Sequence, residues 1–333
     1  MNVFPIDFLA LFIKNKLRFQ ERPSMFKKIL VLSSLLFLCL SCNRVVEKWQ
    51  VTTLLYFDTV CEINLFCSPS DFVSSKEEIR RIFQDIEDHF SPGVHSSSSP
   101  VIFLYKKALA VYHESQGCFD ITVAPLARLW GFLDNSHRIP TPLEIERALE
   151  NVGMDKIILK SGKLLLKPGM ELDWGGIAKG FGIDLASQSM IQTGIKQGFI
   201  NAGGDLYCWG WNPDQKPWRI GIKHPRTSGV SAILLISDTG AATTGDYQRF
   251  FIQEGIRYHH IFDPKSGYPS KSKQSVTVMG PETLFCDALS TALFVSQQPE
   301  KIMQKFPEYG AVVIDSEGKT ILLGKKYPIQ LED

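Results

Sequence analysis

The sequence predicts an α+β fold with a mixed, largely antiparallel sheet and packed helices. The chain has 333 residues, which allows a substantial core in one large domain or two small ones. Apolar residues at helical spacing appear early, between residues 79 and 90, whereas short apolar runs separated by turns dominate after residue 195. Helices and strands therefore interleave without a regular βαβ rhythm, which argues against a doubly wound parallel sheet. The net charge of +1 gives no reason to expect nucleic acid as a partner.

The N-terminal region is predicted to be separate from the fold. Lys27 and Lys28 precede an apolar run over residues 29–40, which ends at Ser41 and Cys42. This pattern is typical of an export signal and is short for a transmembrane helix, although a plain signal anchor is an alternative. We therefore interpret residues 1–24 as an upstream extension, residues 25–41 as a lipoprotein signal peptide and residues 42–50 as a tether. Met1 and Met25 both remain possible starts.

Cys42 is the predicted lipidation site. A diacylated Cys42 would hold the protein at a membrane surface without spanning it. The expected location is thus the periplasmic side of a bacterial membrane. Among the five later cysteines, an odd count without a Cys-x-x-Cys motif argues against a disulfide framework or a zinc site. A pairing of Cys61 with Cys67 stays open, but buried free thiols are the simpler interpretation.

The first half of the domain, which is expected to span residues 51–330, contains strands followed by helices. Residues 51–66 predict one or two strands, with Tyr56-Phe57-Asp58-Thr59 between them. Residues 75–78 have the pattern of a capping box and predict a helix start, and Ser91-Pro92-Gly93 predicts its end. A second helix is expected over residues 101–113. Thr141, Pro142 and Glu144 predict the start of a third, as cap, first-turn proline and capping-box glutamate.

The second half is predicted to be richer in strands. A helix over residues 176–195 precedes five strand candidates, at residues 199–200, 218–222, 232–236, 250–253 and 275–278. A late helix is expected over residues 281–296. Residues 311–314 and 321–323 predict a closing hairpin around Glu317 and Gly318.

A glycine loop over residues 173–180 is the most informative motif. It follows an apolar run over residues 164–166 and opens the helix that begins near Gly176. Gly175 and Gly176 would let the backbone approach a ligand closely, and the helix N-terminus would offer free N–H groups to a phosphate. The ordinary alternative for two glycines before a helix is a tight turn.

Two further positions have residue types suited to phosphate chemistry. Asp287 and Thr291 lie four residues apart on a predicted helix and share a face, which suits a hard cation such as Mg²⁺. A hydrogen bond along the helix is the alternative. His260 has an ordinary pKa of about 6.5 that suits a general base, although an isolated histidine is more often structural. His259 is the weaker candidate because neighbouring side chains in a strand point to opposite sides.

Three other segments combine small residues with polar groups: residues 117–126, residues 200–205 and residues 243–247. The latter two are turns by composition. In order and spacing, all of these motifs together resemble the FAD:protein FMN transferases of the ApbE family, over roughly residues 50–325. The resemblance implies Mg²⁺ held by Asp287, Thr291 and the carbonyl of Ala178, with His260 activating the acceptor hydroxyl. It also implies FAD contacts at Phe119, Asp120, Thr122, Gly175, Gly176, Lys179, Asn201, Gly203, Gly204, Asp205, Thr244, Gly245 and Asp246.

The activity implied by the resemblance is Mg²⁺-dependent transfer of FMN from FAD to a threonine hydroxyl of a target protein, with release of AMP. The implied targets are flavin-accepting subunits of sodium-translocating NADH:quinone reductase or related membrane redox complexes. Two alternatives are an FAD pyrophosphatase and a non-enzymatic flavin-binding lipoprotein. The family usually carries a longer segment with a Ser-x-Tyr where this chain has Ser91-Pro92-Gly93. This departure leaves open how the isoalloxazine is covered and how transfer is balanced against hydrolysis, and it supports the pyrophosphatase as an alternative.

Overall fold

A computed structural model describes residues 46–90 and 98–331. The signal peptide, Cys42 and the Ser91-Pro92-Gly93 segment lie outside these residues. The folded unit begins at Glu47, and its first strand begins at Lys48, so residues 48–50 of the predicted tether belong to the sheet. No helix in residues 46–90 or 98–331 has the length and apolar character needed to cross a membrane.

The strands of the described fold are β1 (Lys48–Tyr56), β2 (Thr59–Cys67), β3 (Ile158–Lys160), β4 (Lys163–Leu165), β5 (Gly198–Ala202), β6 (Asp205–Trp209), β7 (Trp218–Lys223), β8 (Val230–Ile236), β9 (Thr239–Gly245), β10 (Phe250–Gln253), β11 (Ile256–His259), β12 (Lys273–Gly280), β13 (Gly310–Asp315), β14 (Thr320–Gly324) and β15 (Ile329–Leu331). The central sheet has eight strands in the order β1-β2-β5-β6-β9-β12-β13-β14. Every neighbouring pair in it is antiparallel. A small sheet has the order β15-β8-β7, and the pairs β3-β4 and β10-β11 form hairpins.

The helices of the described residues are α1 (Pro69–Phe90), α2 (Ser99–Glu114), α3 (Ala124–Leu129), α4 (Pro142–Leu149), α5 (Ala178–Gln192), α6 (Thr283–Val295) and α7 (Pro299–Met303). Of these, α1, α5 and α6 pack against one face of the main sheet, α2 and α7 pack against α6, and α3 and α4 pack against each other. The other face packs against the β15-β8-β7 sheet. Alternation along β5 shows the division, because Ile200 packs with the helices whereas Phe199 packs with Trp218 of the small sheet. The predicted α+β class with antiparallel pairing is confirmed.

The predicted start of the first helix is wrong. Ser75 is buried inside α1, which begins six residues earlier at Pro69. Ser68 is the residue that caps it, since its Oγ accepts a hydrogen bond from the backbone N–H of Asp71 at 3.0 Å. The capping box at α4 is confirmed, with Thr141 and Glu144 exchanging both predicted hydrogen bonds.

The cysteines of the described chain are all free thiols. Cys61 and Cys67 lie six residues apart on β2, which at about 3.3 Å per residue separates them far beyond disulfide reach. Burial raises the pKa of each thiol to about 11. Neither is therefore a reactive thiolate at neutral pH.

Candidate active site

The site is built where the N-terminal turns of α5 and α6 cross. Gly180 makes the crossing possible, because a Cβ there would lie 2.5 Å from the carbonyl oxygen of Thr283 and 2.7 Å from Cα of Leu284. Each helix supplies a buried aspartate to the other. Asp184 accepts hydrogen bonds from the backbone N–H groups of Thr283 and Leu284 at 2.8 and 2.9 Å. Asp287 accepts one from the Gly180 N–H at 3.2 Å.

Lys179 joins three segments of the predicted site. Its Nζ lies 2.9 Å from Asp205 Oδ2 and 3.4 Å from Asp287 Oδ2, and it donates to the carbonyl of Gly175 at 2.9 Å. Burial alone lowers the pKa of Lys179, but the two carboxylates outweigh it and the net pKa is raised. Lys179 is therefore a charged residue that ties the glycine loop to α6 and to the start of β6.

The loop between β5 and β6 presents Asp205. Gly203 and Gly204 both have left-handed φ values, of 65° and 107°, which favour glycine. The side chain of Asn201 accepts a hydrogen bond from the Gly204 N–H at 2.9 Å and closes the turn. Asp205 in turn accepts from the Thr243 N–H at 3.3 Å, so the loop is fixed to the end of β9.

The hydroxyl groups of Thr244, Ser290 and Thr291 lie close to one another near Asp287. Thr244 Oγ1 is 2.6 Å from Ser290 Oγ and 3.1 Å from Thr291 Oγ1. A Cβ on Gly176 would lie 3.4 Å from Thr291 Oγ1 and 3.2 Å from the Phe119 ring. The structure thus brings Gly176, Phe119, Thr244 and Thr291 together from four separate segments. Of these contacts, only the sharing of one helix face by Asp287 and Thr291 was expected from spacing.

The donor atoms fit a hard cation. Asp205 and Asp287 share a single lysine, and burial raises the pKa of Asp287, so a further positive charge would favour its ionised form. Asp205 Oδ2 is also buried without a well-formed hydrogen bond, although Lys179 Nζ lies at ion-pair distance. Within the described residues, no group of three or more His, Cys, Asp or Glu side chains is arranged for a metal. A cation here would therefore depend on hydroxyl and backbone oxygens, which Mg²⁺ accepts alongside one or two carboxylates.

Asp120 and Thr122 brace the segment that carries Phe119. The Asp120 carboxylate accepts hydrogen bonds from the N–H and hydroxyl of Thr122, at 2.7 and 2.5 Å, and from the Met154 N–H at 3.3 Å. Thr122 Oγ1 accepts from the Gly153 N–H at 2.6 Å. Burial raises the pKa of Asp120, and these donors oppose the rise. The Asp120 and Thr122 side chains are thus occupied by hydrogen bonds within the protein. Because these bonds hold the backbone that follows Phe119, they fix the position of that residue.

Asp246 was expected to contact the nucleotide, and the structure pairs it with arginine. Both of its oxygens meet the Arg226 guanidinium, at 2.8 and 2.6 Å, and Arg257 lies 3.7 Å away. Its neighbour Gly245 packs under Tyr247, where a Cβ would lie 2.5 Å from the ring. Sequence reasoning missed Arg226 because no local pattern links positions twenty residues apart.

The two histidines have different surroundings. His259 is buried, and its Nε2 lies 2.6 Å from the carbonyl of Ser270. His260 follows β11 and is partly accessible, with Nδ1 3.2 Å from the carbonyl of Arg249. Desolvation of the imidazole ring by the surrounding protein, and after it the positive charge of Arg249, lowers the pKa of His260 to about 3. His260 is therefore neutral at physiological pH, as a proton acceptor must be.

Residues 57–313 match the sequence model of the ApbE family. The chain belongs to the ApbE family. A FAD:protein FMN transferase of Vibrio cholerae is 31% identical over 249 residues, which cover 68% of this chain and 74% of that protein. A FAD:protein FMN transferase of Haemophilus influenzae is 36% identical over 200 residues, or 57% of this chain and 58% of that relative's length.

Solved ApbE structures have the same fold. The ApbE protein of Thermotoga maritima superposes with a TM-score of 0.77 at 30% identity, covering 83% of this chain and 97% of that one. The flavin transferase ApbE of Vibrio cholerae gives a TM-score of 0.74 at 26% identity, covering 84% and 98%. The family assignment made from the motifs is confirmed, and the curated relatives of this ApbE chain are transferases.

Proposed function

We propose that this protein transfers FMN from FAD to a threonine hydroxyl of a target protein. The acceptor oxygen forms a bond to the FMN phosphorus, the bond from that phosphorus to the AMP phosphate breaks, and AMP leaves. The hydroxyl proton passes to His260. The observation that carries the proposal is the convergence of Lys179, Asp205, Asp287 and Thr291 on the glycine loop. The names of the curated relatives support it.

Such chemistry asks a protein mainly for positioning and for neutralisation of charge. Asp287, Thr291 and the carbonyl of Ala178 would hold Mg²⁺, which supplies positive charge for the phosphates when bound. Gly176 allows the backbone to approach the nucleotide, and the adjacent Phe119 offers an aromatic wall. Lys179 keeps the two carboxylates and the glycine loop in one arrangement.

One assay separates this function from its two alternatives. Purified protein is incubated with FAD and Mg²⁺, with and without a flavin-accepting subunit of sodium-translocating NADH:quinone reductase as the proposed acceptor. A fluorescent acceptor band in a denaturing gel, with AMP in stoichiometric amount, supports transfer. FMN and AMP without a labelled acceptor would indicate a pyrophosphatase, and unchanged FAD would indicate a binding protein.

We also propose that the protein is exported and held at the periplasmic side of a bacterial membrane through Cys42. The support is the basic, apolar and small-residue pattern over residues 25–42. Cys42→Ser removes the sulfur to which the lipid would be attached. The variant should no longer incorporate labelled palmitate, while its activity on a soluble acceptor is retained. Label in the Cys42→Ser protein would refute this lipidation site.

A further inference from the structure

We propose that Nε2 of His260 is the atom that takes the acceptor proton, and that Arg249 is the positioning residue that selects it. This inference rests on the proposed function and adds an atom-level assignment to it. Arg249 lies immediately before β10, at the base of the β10–β11 hairpin, and His260 lies directly after β11. The two residues therefore meet where the hairpin joins the rest of the fold.

The carbonyl of Arg249 determines which ring nitrogen carries hydrogen. It accepts a hydrogen bond from the backbone N–H of His260 at 3.2 Å, and it lies 3.2 Å from the ring Nδ1. A carbonyl oxygen can only accept, so Nδ1 of the neutral ring must be the N–H nitrogen. The opposite tautomer would place two lone pairs face to face. Nε2 is then left with a free lone pair for a proton.

The side chain of Arg249 fixes the position of that carbonyl. Its Nη2 donates to the carbonyl of Phe132 at 2.6 Å. Phe132 is buried, its ring centroid is 5.8 Å from that of Phe251, and it is 6.4 Å from the His260 ring. Phe132 therefore contacts both the Arg249 side chain and the His260 ring, and it fixes the Arg249 carbonyl relative to the imidazole.

The guanidinium has a second effect through its charge. After burial, the Arg249 charge is the largest influence that lowers the pKa of His260, and His259 and Lys179 act in the same direction. The Arg249 carbonyl opposes them by stabilising the ring N–H. Together these influences keep His260 neutral before the reaction.

The first test reads the tautomer and does not depend on activity. Full-length protein with ¹⁵N-labelled histidine is studied by NMR at pH 7, and His260→Gln identifies the His260 signals among the seven histidines. We expect a protonated, pyrrole-type Nδ1 and a pyridine-type Nε2. A protonated Nε2 in the wild type would overturn the proposal even if the protein proves to be an active transferase.

The second test compares Arg249→Met with Arg249→Lys and with Arg219→Met. Arg219 is a matched control, because it is an exposed arginine on β7 whose hydrogen bond goes to Gln330. In Arg249→Met we expect kcat to fall about tenfold because the carbonyl and the imidazole lose their fixed orientation, with KM for FAD changed less than about twofold. The NMR-titrated pKa of His260 should rise in the same variant, because a nearby positive charge is removed. Arg249→Lys keeps the charge and should retain the low pKa, whereas Arg219→Met should match the wild type.

The role of Arg249 and the transferase function can fail independently. An unchanged His260 titration and tautomer in Arg249→Met would refute the role of Arg249. If no variant and no wild-type preparation transferred FMN or cleaved FAD, the proposed function would fail, while the NMR result would still decide the tautomer.

Discussion

Asp184 and Asp287 are two buried aspartates on facing helices, yet they are balanced by different partners. Their exposed fractions are 5% and 4%. Asp184 is held by two backbone N–H groups at the first turn of α6, which cannot leave without unwinding the helix. Asp287 receives one backbone N–H and the side-chain ammonium of Lys179. Burial disfavours both charges, but only Asp287 has a partner that another cation can replace.

This difference in partners indicates a structural role for Asp184 and a role in the reaction for Asp287. Asp184 stabilises the crossing of α5 and α6, and its replacement should act on folding. Asp287 lies beside the glycine loop and the hydroxyls of Thr244 and Thr291, and its replacement should act on turnover.

Asp287→Ala should abolish FMN transfer and FAD cleavage, because the main carboxylate for a cation is lost. Asp287→Asn should fail almost as completely, since it preserves shape but not charge. Turnover is measured with FAD and Mg²⁺, with circular dichroism as the folding control. Wild-type turnover by a folded Asp287→Asn protein would remove the distinction between the two aspartates.

His260→Ala should bind FAD nearly normally but lose at least about a hundredfold in transfer, because a positioned base contributes roughly 10²–10⁴-fold. His259→Ala is the matched control. His259 is buried against Ser270 and Phe294, so its loss should lower stability rather than the rate per folded molecule. FAD affinity and acceptor labelling are measured for both. A larger loss of rate in His259→Ala than in His260→Ala would identify His259 as the base instead.

Asp184→Ala should lower the free energy of unfolding by about 2–4 kcal/mol, because two buried N–H groups lose their acceptor. Asp184→Asn should be milder, since its amide oxygen can still accept one of them. Urea unfolding measures both, and FMN transfer per folded molecule should stay close to wild type. Loss of turnover without loss of stability would place Asp184 in the chemistry instead.

The smallest expected effect is on the pH dependence of stability. The folded-state pKa of His260 is lowered to about 3, against about 6.5 in an unfolded chain. The unfolded state therefore binds more protons below about pH 6.5, and this group's contribution to stability is lost as pH falls. His260→Gln should gain stability relative to the wild type between pH 7 and pH 5. Parallel stability curves for the two proteins over that range would contradict the assignment.

Local signals predicted much of the fold. The cap at Thr141 and Glu144, the hairpin around Gly318 and the strands near residues 218, 250 and 275 follow from short-range chemistry. The capping-box pattern at Ser75 gave the wrong helix start, because the segment before it is also helical back to Pro69 and the serine is buried. A capping pattern thus predicts a helix start only where the preceding chain does not itself fold as helix.

The candidate site was predictable as a set of motifs but not as a set of contacts. Lys179 bridges Asp205 and Asp287, and Asp246 pairs with Arg226, across distances in sequence that no spacing rule covers. Asp184 was missed, although one signal was present. It falls on the same helix face as Ile177 and Phe181, where a carboxylate among apolar residues predicts a buried acceptor.

The missing side chain at Gly180 has a consequence for motion. Helices normally touch through layers of side chains that can change rotamer, but here the backbones of α5 and α6 are in direct contact. Amide protons at Gly180, Thr283 and Leu284 should therefore exchange with solvent in one common opening event, and not helix by helix. Lys179 and Asp287 are 108 positions apart in the chain. The distance between them should nevertheless stay constant during thermal fluctuations, because the two helices move as one rigid element.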